Sequence, residues 1–399
     1  MRAQPLDELI ASCKAMARTI VGRQDQPSIV VAPYRFNPLG AHIDHQGGSV
    51  LARTLDQYTI ICFWPRQDTL CSVCSNLSDD RWQRATFSAG QLDDQYGWDA
   101  MARASVAAFA KDHTLSCGFD AAVFGTLVSG GLSSSASVIL GYLSVLTAVN
   151  DLSLTQRECV DLVRRVENDY RGLNNGIQDQ MSIVYAKENH IALLDVVSGN
   201  AISVADPPAM AQCEFMMFYS GVSRNLVTGS NFNQRVSECQ QAARLLHPEA
   251  QHLGEVPGHL RTNVALAALP DGLGKRAKHV YTEMQRVEQG CAAWSAGDME
   301  RFGELMNESC QSSINQYESG SPWLIELHRI ASGVQGVYGN RFSGGGYGGC
   351  LFMLIEAQAA EQVACELRDQ YLCLYPDLHS RVRVKLARSE QSVRTLHHD

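Results

Sequence analysis

The segment 130–137 contains two glycines and four serines. The alternating apolar stretch before it, 119–128, predicts a strand, and the apolar stretch 133–149 predicts a helix. Glycines let the backbone approach a ligand closely, and serine hydroxyls with free N–H groups at the start of a helix favour anions. The segment therefore predicts a phosphate-binding loop, with a plain serine cap as the alternative. The residues expected to contact phosphate are Gly130, Gly131, Ser133, Ser134 and Ser135.

Two carboxylates downstream of this loop, Glu167 and Asp179, could take part in phosphate chemistry. Mg²⁺ prefers hard oxygen ligands and usually takes only one or two from protein, so Ser135 and Glu167 are the candidate ligands. Asp179 has apolar neighbours and needs a cation, for which Arg35 at the end of the first predicted strand is the candidate. An oriented Asp179 could accept the proton of a substrate hydroxyl, as in phosphoryl transfer. Either acid could instead lie on a helix surface.

Two further segments complete the set of candidate site residues. His42 and Asp44, in the segment 40–48, have the spacing of side chains on one side of an extended strand, where they could bind vicinal sugar hydroxyls. The same spacing could hold a metal, but no nearby Cys or His completes a set of four ligands. The segment 343–349 contains five glycines and precedes a predicted strand. Together with 130–137, these segments predict one cleft bordered from three sides.

The composition of the 399 residues restricts the class of protein. With 45% hydrophobic and 19% charged residues the chain can bury a large core, and its length predicts two or three domains. The net charge of −9 disfavours nucleic acid or an anionic membrane as the main partner. No apolar run reaches the roughly 18 residues of a transmembrane helix, and residues 1–23 predict an amphipathic helix, not a secretory signal.

The thirteen cysteines indicate reduced, mostly buried thiols, and we expect a cytoplasmic protein. Cys71 and Cys74 have CxxC spacing, but no second pair completes a zinc site.

Strands and helices are mixed without regular βα alternation, which predicts two α+β domains, 1–205 and 206–399, divided near Pro207 and Pro208. The predicted strands are 28–35, 50–55, 58–65, 70–75, 119–128, 191–195, 214–220, 350–356 and 381–386. The predicted helices include 97–111, 133–149, 155–170, 174–185 and 357–374.

The chain resembles the GHMP kinases, and their galactokinase branch most closely. Residues 32–44 are similar to the galactokinase signature, 130–136 to the ATP-phosphate motif, and 339–350 to the third motif. Residues 176–180 resemble the segment that carries the catalytic aspartate, and the resemblance extends from about residue 30 to 356. A mevalonate- or homoserine-type kinase is another branch, but the His42 and Asp44 pair favours the sugar branch.

This resemblance implies an N-terminal domain like the second domain of ribosomal protein S5 and a ferredoxin-like C-terminal domain, with ATP and a sugar in the cleft between them. The implied reaction is ATP- and Mg²⁺-dependent phosphorylation of an anomeric hydroxyl. Asp179 corresponds to the catalytic base, Arg35 to its cationic partner, and Ser135 with Glu167 to the Mg²⁺ ligands. The implied sugar-binding positions are Ala41, His42, Asp44, His45, Gly176 and Phe232, and the nucleotide-binding positions include Gly345 and Gly346.

Ala41 stands where galactokinases carry the glutamate that contacts the 6-hydroxyl of galactose. Two like charges about 4 Å apart repel by about 4 kcal/mol at an effective dielectric of 20. Such a glutamate would disfavour an acidic sugar about a thousandfold. Alanine removes this penalty, so the expected substrate is D-galacturonic acid and the product galacturonate 1-phosphate. The segment 38–48 also resembles galacturonokinases more than galactokinases.

Several alternatives remain open at this point. The chain could be a galactokinase, a kinase for another C6-modified sugar, or a non-catalytic sugar-responsive regulator, and Ala41 could reflect drift or an inactive site. His45 and Phe232 both replace a tyrosine of galactokinases, and the missing hydroxyl of Phe232 removes one sugar contact. A uronate needs a cation or good donors, for which His45, Arg224 and Arg235 are the candidates.

Overall fold

The computed structural model describes residues 4–76, 81–92, 97–127, 132, 134–172, 175–222 and 231–397. The helices are α1 (Leu6–Val21), α2 (Ala100–Asp112), α3 (Ser134–Val149), α4 (Gln156–Arg165), α5 (Gln178–Val184), α6 (Phe232–Leu246), α7 (Asn263–Ala267), α8 (Asp271–Ala296), α9 (Met299–Ser312), α10 (Pro322–Ala331) and α11 (Ala360–Leu374). The strands are β1 (Ser28–Leu39), β2 (Val50–Pro65), β3 (Cys71–Ser75), β4 (Gln83–Phe87), β5 (Phe119–Gly125), β6 (His190–Asp195), β7 (Asn200–Ala205), β8 (Cys213–Tyr219), β9 (Val337–Phe342), β10 (Cys350–Glu356), β11 (Arg383–Leu386) and β12 (Arg394–Leu396).

The first sheet has the order β12-β1-β2-β5-β3-β4, with β6 paired to β2 and β7 to β6. The sequence predicts two strands over 50–55 and 58–65, but the structure forms the single strand β2. Its register against β1 shifts where Tyr34 pairs with Leu55 and Pro33 with Tyr58. The two extra residues of β2 form a bulge, which lets the pairing continue instead of ending the strand.

The second sheet, β11-β8-β10-β9, is antiparallel throughout. Its strands alternate between two cores: Leu351 and Met353 pack under α10 and α11, whereas Phe352 and Leu354 face the first sheet. The Phe352 ring stacks on Phe36 of β1 with the centroids 4.2 Å apart. The two sheets therefore share a core, which fixes β1 against β9 and β10.

The end of the chain returns to the first sheet, because β12 pairs with β1 through Ile29 and Leu396. The sheet built mainly from residues before 206 thus includes residues from the second predicted domain, and the exact boundary stays a prediction. No helix in the described ranges is both long enough and apolar enough to cross a membrane.

Candidate active site

Arg35 of β1 and Asp179 of α5 form the ion pair predicted from the sequence. Arg35 Nε and Nη2 donate to Asp179 Oδ1 at 2.9 and 2.6 Å. The arginine side chain is 3% exposed and the aspartate 19%, so the carboxylate remains accessible while the cation behind it is buried. Two charge-assisted hydrogen bonds fix the carboxylate orientation, as a proton acceptor requires.

Arg35 also connects the glycine-rich segments. Its Nη1 donates to Ser343 Oγ at 3.4 Å, at the start of the loop 343–349 between β9 and β10. Its backbone N–H donates to the carbonyl of Leu132 at 3.3 Å. Gly344 and Gly346 have positive φ, a backbone conformation that favours glycine, and Gly345 lies between them. Leu132 of the segment 130–137 and Ser343 of the loop 343–349 therefore both contact Arg35.

Only part of the predicted phosphate loop lies within the described residues. Gly130, Gly131 and Ser133 lie outside them. Ser134 and Ser135 form the start of α3, in agreement with the predicted strand, loop and helix.

Ser135 and Glu167, the predicted magnesium ligands, are in direct contact. Ser135 Oγ donates to Glu167 Oε1 at 2.9 Å, and Asn175 Nδ2 donates to Oε2 at 2.7 Å. Burial, with a smaller contribution from the nearby Asp179, raises the pKa of Glu167 to about 7. Asn175 Oδ1 is buried without a partner among the described residues.

The oxygen-only donor set of Ser135 and Glu167 fits Mg²⁺. The described residues contain no cluster of three or more His, Cys, Asp or Glu suited to a metal, so an ion there would need nucleotide oxygens and water as further ligands.

Glu167 lies where the helix changes from α-helical to π-helical geometry, and the sequence pattern did not predict this change. The predicted helix 155–170 is α-helical to Arg165, and 166–170 form a π-helical turn. Such insertions often occur at functional sites, because an extra residue per turn redirects a side chain. A second π-helical turn, 313–317, ends at Tyr317, which the sequence analysis also missed.

His42 and Asp44 do not lie on an extended strand, and that prediction was wrong. β1 ends at Leu39, His42 has φ of 58°, and residues 44–46 form a 3₁₀ turn. The Asp44 Oδ2 accepts a bond from Gln178 N at 3.4 Å, and burial raises the pKa of Asp44 to about 6, with Asp179 contributing. A Cβ at Gly176 would overlap this carboxylate, so glycine is required there.

Tyr317 lies between the two histidines. The His42 ring stacks on it at 4.2 Å, and His45 Nε2 is 3.2 Å from its hydroxyl. Gln46 Nε2 lies 2.8 Å from His45 Nδ1, so this nitrogen accepts and Nε2 carries the proton. The Phe232 ring meets His45 edge-on at 6.0 Å. Burial lowers the pKa of His45 to about 4, so the ring is neutral at pH 7.

Two of the three cation candidates from the sequence are therefore not available to an acidic sugar. His45 is neutral, and Arg235 is paired with Glu238 at 2.8 Å and Glu318 at 3.4 Å. Arg224 lies outside the described residues.

Ala41 is 4% exposed and is held by two residues of α8. The N–H groups of Gly40 and Ala41 donate to Glu283 Oε1 at 2.8 and 3.0 Å. His279 Nε2 donates to the Ala41 carbonyl at 2.9 Å. Ser309 Oγ also donates to Glu283 Oε1, at 2.6 Å, and Arg286 Nε donates to Oε2 at 2.7 Å.

Glu283 is fully buried, and its pKa falls to about 2 because Arg286 and other nearby cationic groups outweigh the effect of burial. No motif predicts these α8 residues; the signal available was only the i, i+4 spacing of His279 and Glu283.

Comparison with known proteins shows which family the chain belongs to. Residues 18–65 match the galactokinase galactose-binding signature, 100–187 the GHMP kinase N-terminal domain and 290–372 the GHMP kinase C-terminal domain. Galacturonokinase of Arabidopsis thaliana is 33% identical over 397 residues, covering 94% of each chain. The galactokinase of Roseiflexus sp. (strain RS-1) is 33% identical over 353 residues, covering 86% of this chain and 87% of that one. Human galactokinase is 31% identical over 380 residues, covering 93% and 94%.

The fold comparison agrees. Lactococcus lactis galactokinase, solved with galactose, superposes with a TM-score of 0.89 at 24% identity, covering 97% of this chain and all of that one. The α+β fold expected from the resemblance is confirmed. The chain belongs to the GHMP kinase family and, within its galactokinase branch, is a sugar kinase.

Proposed function

We propose that this kinase transfers the γ-phosphoryl group of ATP to the anomeric hydroxyl of D-galacturonic acid, giving galacturonate 1-phosphate and ADP. The observation that carries the substrate assignment is Ala41, a methyl group where galactokinases carry a carboxylate. The similarity to a galacturonokinase over 94% of the chain supports it.

In the proposed reaction, Asp179 accepts the proton of the anomeric hydroxyl while that oxygen forms a bond to the γ-phosphorus. The bond from the γ-phosphorus to the β–γ bridging oxygen breaks, and ADP leaves. Arg35 holds the carboxylate in place through two hydrogen bonds to a single oxygen. Ser135 and Glu167 would hold Mg²⁺, which supplies positive charge to the phosphates when bound.

The surroundings of Ala41 also suit an acidic sugar. Glu283 is the nearby carboxylate, but two backbone N–H groups, Ser309 and Arg286 occupy it. Burial lowers the pKa values of His42, His45 and His279, so these rings are neutral at pH 7. These groups thus present no unbalanced negative charge to a sugar carboxylate.

An ADP-release assay on galacturonate, galactose and glucuronate tests the proposal. We expect kcat/KM for galacturonate to exceed that for galactose, because position 41 neither repels the uronate carboxylate nor supplies a carboxylate for the 6-hydroxyl of galactose to contact. A higher value for galactose would overturn the substrate assignment. ATP binding without ADP release on any sugar would indicate a non-catalytic regulator.

Galactokinase activity is the second candidate, favoured by the galactose-binding signature in residues 18–65 and by the galactokinase relatives. The same assay decides between the two.

A further inference from the structure

Arg341 is a buried arginine on the face of the second sheet that meets the first. Its strand neighbour Asn340 points the other way, towards Asn307 and His328. Arg341 pairs in register with Phe352 of β10, whose ring packs on Phe36 of β1. Because side chains alternate along a strand, Arg341 faces β1 and the residues that follow it.

The guanidinium group of Arg341 has few hydrogen-bond partners among the described residues. Its Nε donates to the carbonyl of Phe342 at 3.2 Å, and Nη1 is buried without an acceptor in the same parts of the chain. Arg341 is 2% exposed, and the ion pairs found in the described parts of the chain do not include it. Because burying a charge without a counterion is costly, an anion that joins this group would be stabilised.

Three residues around Ala41 locate the guanidinium group. Glu283, which accepts from Ala41 N–H, is its strongest electrostatic partner. His279, which donates to the Ala41 carbonyl, and His42, which follows Ala41 in the chain, both interact electrostatically with Arg341. These interactions, together with the sheet face that Arg341 shares with Phe352, put the guanidinium group within electrostatic range of the residues that hold Ala41.

Among the described residues around Ala41, the charges sum to one uncompensated cation. Arg286 neutralises Glu283, and the flanking histidines are neutral. Arg35, which also interacts electrostatically with Arg341, is paired with Asp179, and Asp44 interacts with those two residues. Glu283, the carboxylate that interacts with Arg341, is thus already neutralised by Arg286.

We propose that Arg341 binds the C6 carboxylate of the acidic sugar through its Nη atoms, in the space left by Ala41. This inference rests on the proposed function, since it names the group that recognises the proposed substrate. A glutamate at position 41 would place a carboxylate of the protein beside the same guanidinium. With alanine there, the substrate supplies the counterion, and an uncharged hexose does not.

Arg341→Gln tests the inference through steady-state kinetics on galacturonate and galactose. Loss of a buried charge partner should reduce kcat/KM for galacturonate by about 100-fold or more, mainly through KM. The fall for galactose should be at least about tenfold smaller, because no charge pair is lost. The kcat/KM of Arg341→Lys for galacturonate should lie between the values of the wild type and Arg341→Gln, since lysine keeps the charge but not the bidentate geometry.

Arg53→Gln is the matched control. Arg53 is also buried but is paired with Asp206, so its loss removes a buried guanidinium elsewhere. It should leave the ratio of kcat/KM for the two sugars unchanged.

Two failures can be told apart. If the wild-type enzyme prefers galacturonate and Arg341→Gln keeps that preference, the assignment of Arg341 is overturned and the proposed function survives. If the wild-type enzyme does not phosphorylate galacturonate, the proposed function fails, and this inference fails with it.

If the variants do not fold, a crystal structure of the wild-type enzyme with galacturonate still tests the inference. A sugar carboxylate within hydrogen-bond distance of an Arg341 Nη atom supports the inference, and a carboxylate bound elsewhere overturns it.

Discussion

The two ends of the cleft differ in how their buried arginines are balanced. At the reaction end, Arg35 is held by the Asp179 carboxylate at 2.6 Å. Arg341, which interacts electrostatically with the residues that hold Ala41, has an Nη1 atom without an acceptor among the described residues. One arginine completes a site within the protein, whereas the other leaves a charge for a ligand to balance.

This difference indicates that one fold uses separate residues to support the reaction and to discriminate between sugars. Orienting Asp179 is a requirement of phosphoryl transfer to any hydroxyl, so its partner must be part of the protein. Discrimination between sugars requires only that the charge opposite C6 match the substrate. If the proposed function holds, the single residue Ala41 changes the substrate without altering the reaction end.

Asp179→Asn should have the largest effect, because it removes the proton acceptor and leaves the shape of the side chain almost unchanged. We expect kcat to fall by about 10³- to 10⁴-fold, the range for loss of a general base. ATP affinity, measured by calorimetry, should change little. Turnover near the wild-type rate would show that Asp179 is not the base and would remove the distinction between the two ends.

Ala41→Glu tests the other end. The added carboxylate should reduce kcat/KM for galacturonate by about a thousandfold through repulsion of about 4 kcal/mol, and galactose should gain in relative terms. Ala41→Gln is the matched control, since glutamine has nearly the same volume without the charge. Equal losses in the two variants would assign the effect to volume and contradict the electrostatic comparison.

The reaction end was predictable from sequence because its parts lie in short segments with a chemical pattern. Ser135 opens α3 after a glycine run, and Asp179 opens a helix whose apolar neighbours require a cation for it. The structure brings these two residues together with Arg35 and Glu167 by hydrogen bonds and electrostatic contact. Their catalytic roles stay predictions.

The Ala41 end was harder to predict from the sequence because it depends on long-range packing. Glu283 lies 242 residues from Ala41 in the sequence, on α8, and no motif marks it. The sequence placed Arg341 in the third motif, but its lack of a partner follows only from the way β9 packs on β1. The conformation of His42 was missed because the turn after Leu39 depends on Glu283 holding two consecutive N–H groups.

Glu283→Gln should weaken the support under Ala41. The pKa of Glu283 is about 2 in the folded protein and about 4.5 in an unfolded chain, so its charge stabilises the fold by about 3 kcal/mol above pH 4.5. That contribution is lost as the pH falls from 4.5 through 2. Denaturant unfolding at pH 7 should show a lower free energy of unfolding for Glu283→Gln than for the wild type. This difference should shrink towards zero in acid.

Glu304→Gln is the control for Glu283→Gln. Glu304 also pairs with an arginine, Arg301, but its side chain is 62% exposed. Its replacement should change the free energy of unfolding by less than about 0.5 kcal/mol. Similar losses in the two variants would contradict a special role for the buried carboxylate behind Ala41.

Ser135→Ala should have the smallest effect, because the serine is one of several oxygen ligands proposed for Mg²⁺. We expect the Mg²⁺ concentration for half-maximal activity to rise by about tenfold, and Mg²⁺-dependent ADP affinity, measured by calorimetry, to fall by a similar factor. Ser144 lies on the same helix and donates to the Leu140 carbonyl, so Ser144→Ala should leave both values unchanged. An unchanged Mg²⁺ dependence in Ser135→Ala would limit Ser135 to its hydrogen bond with Glu167, and the reaction end would then depend on the carboxylates alone.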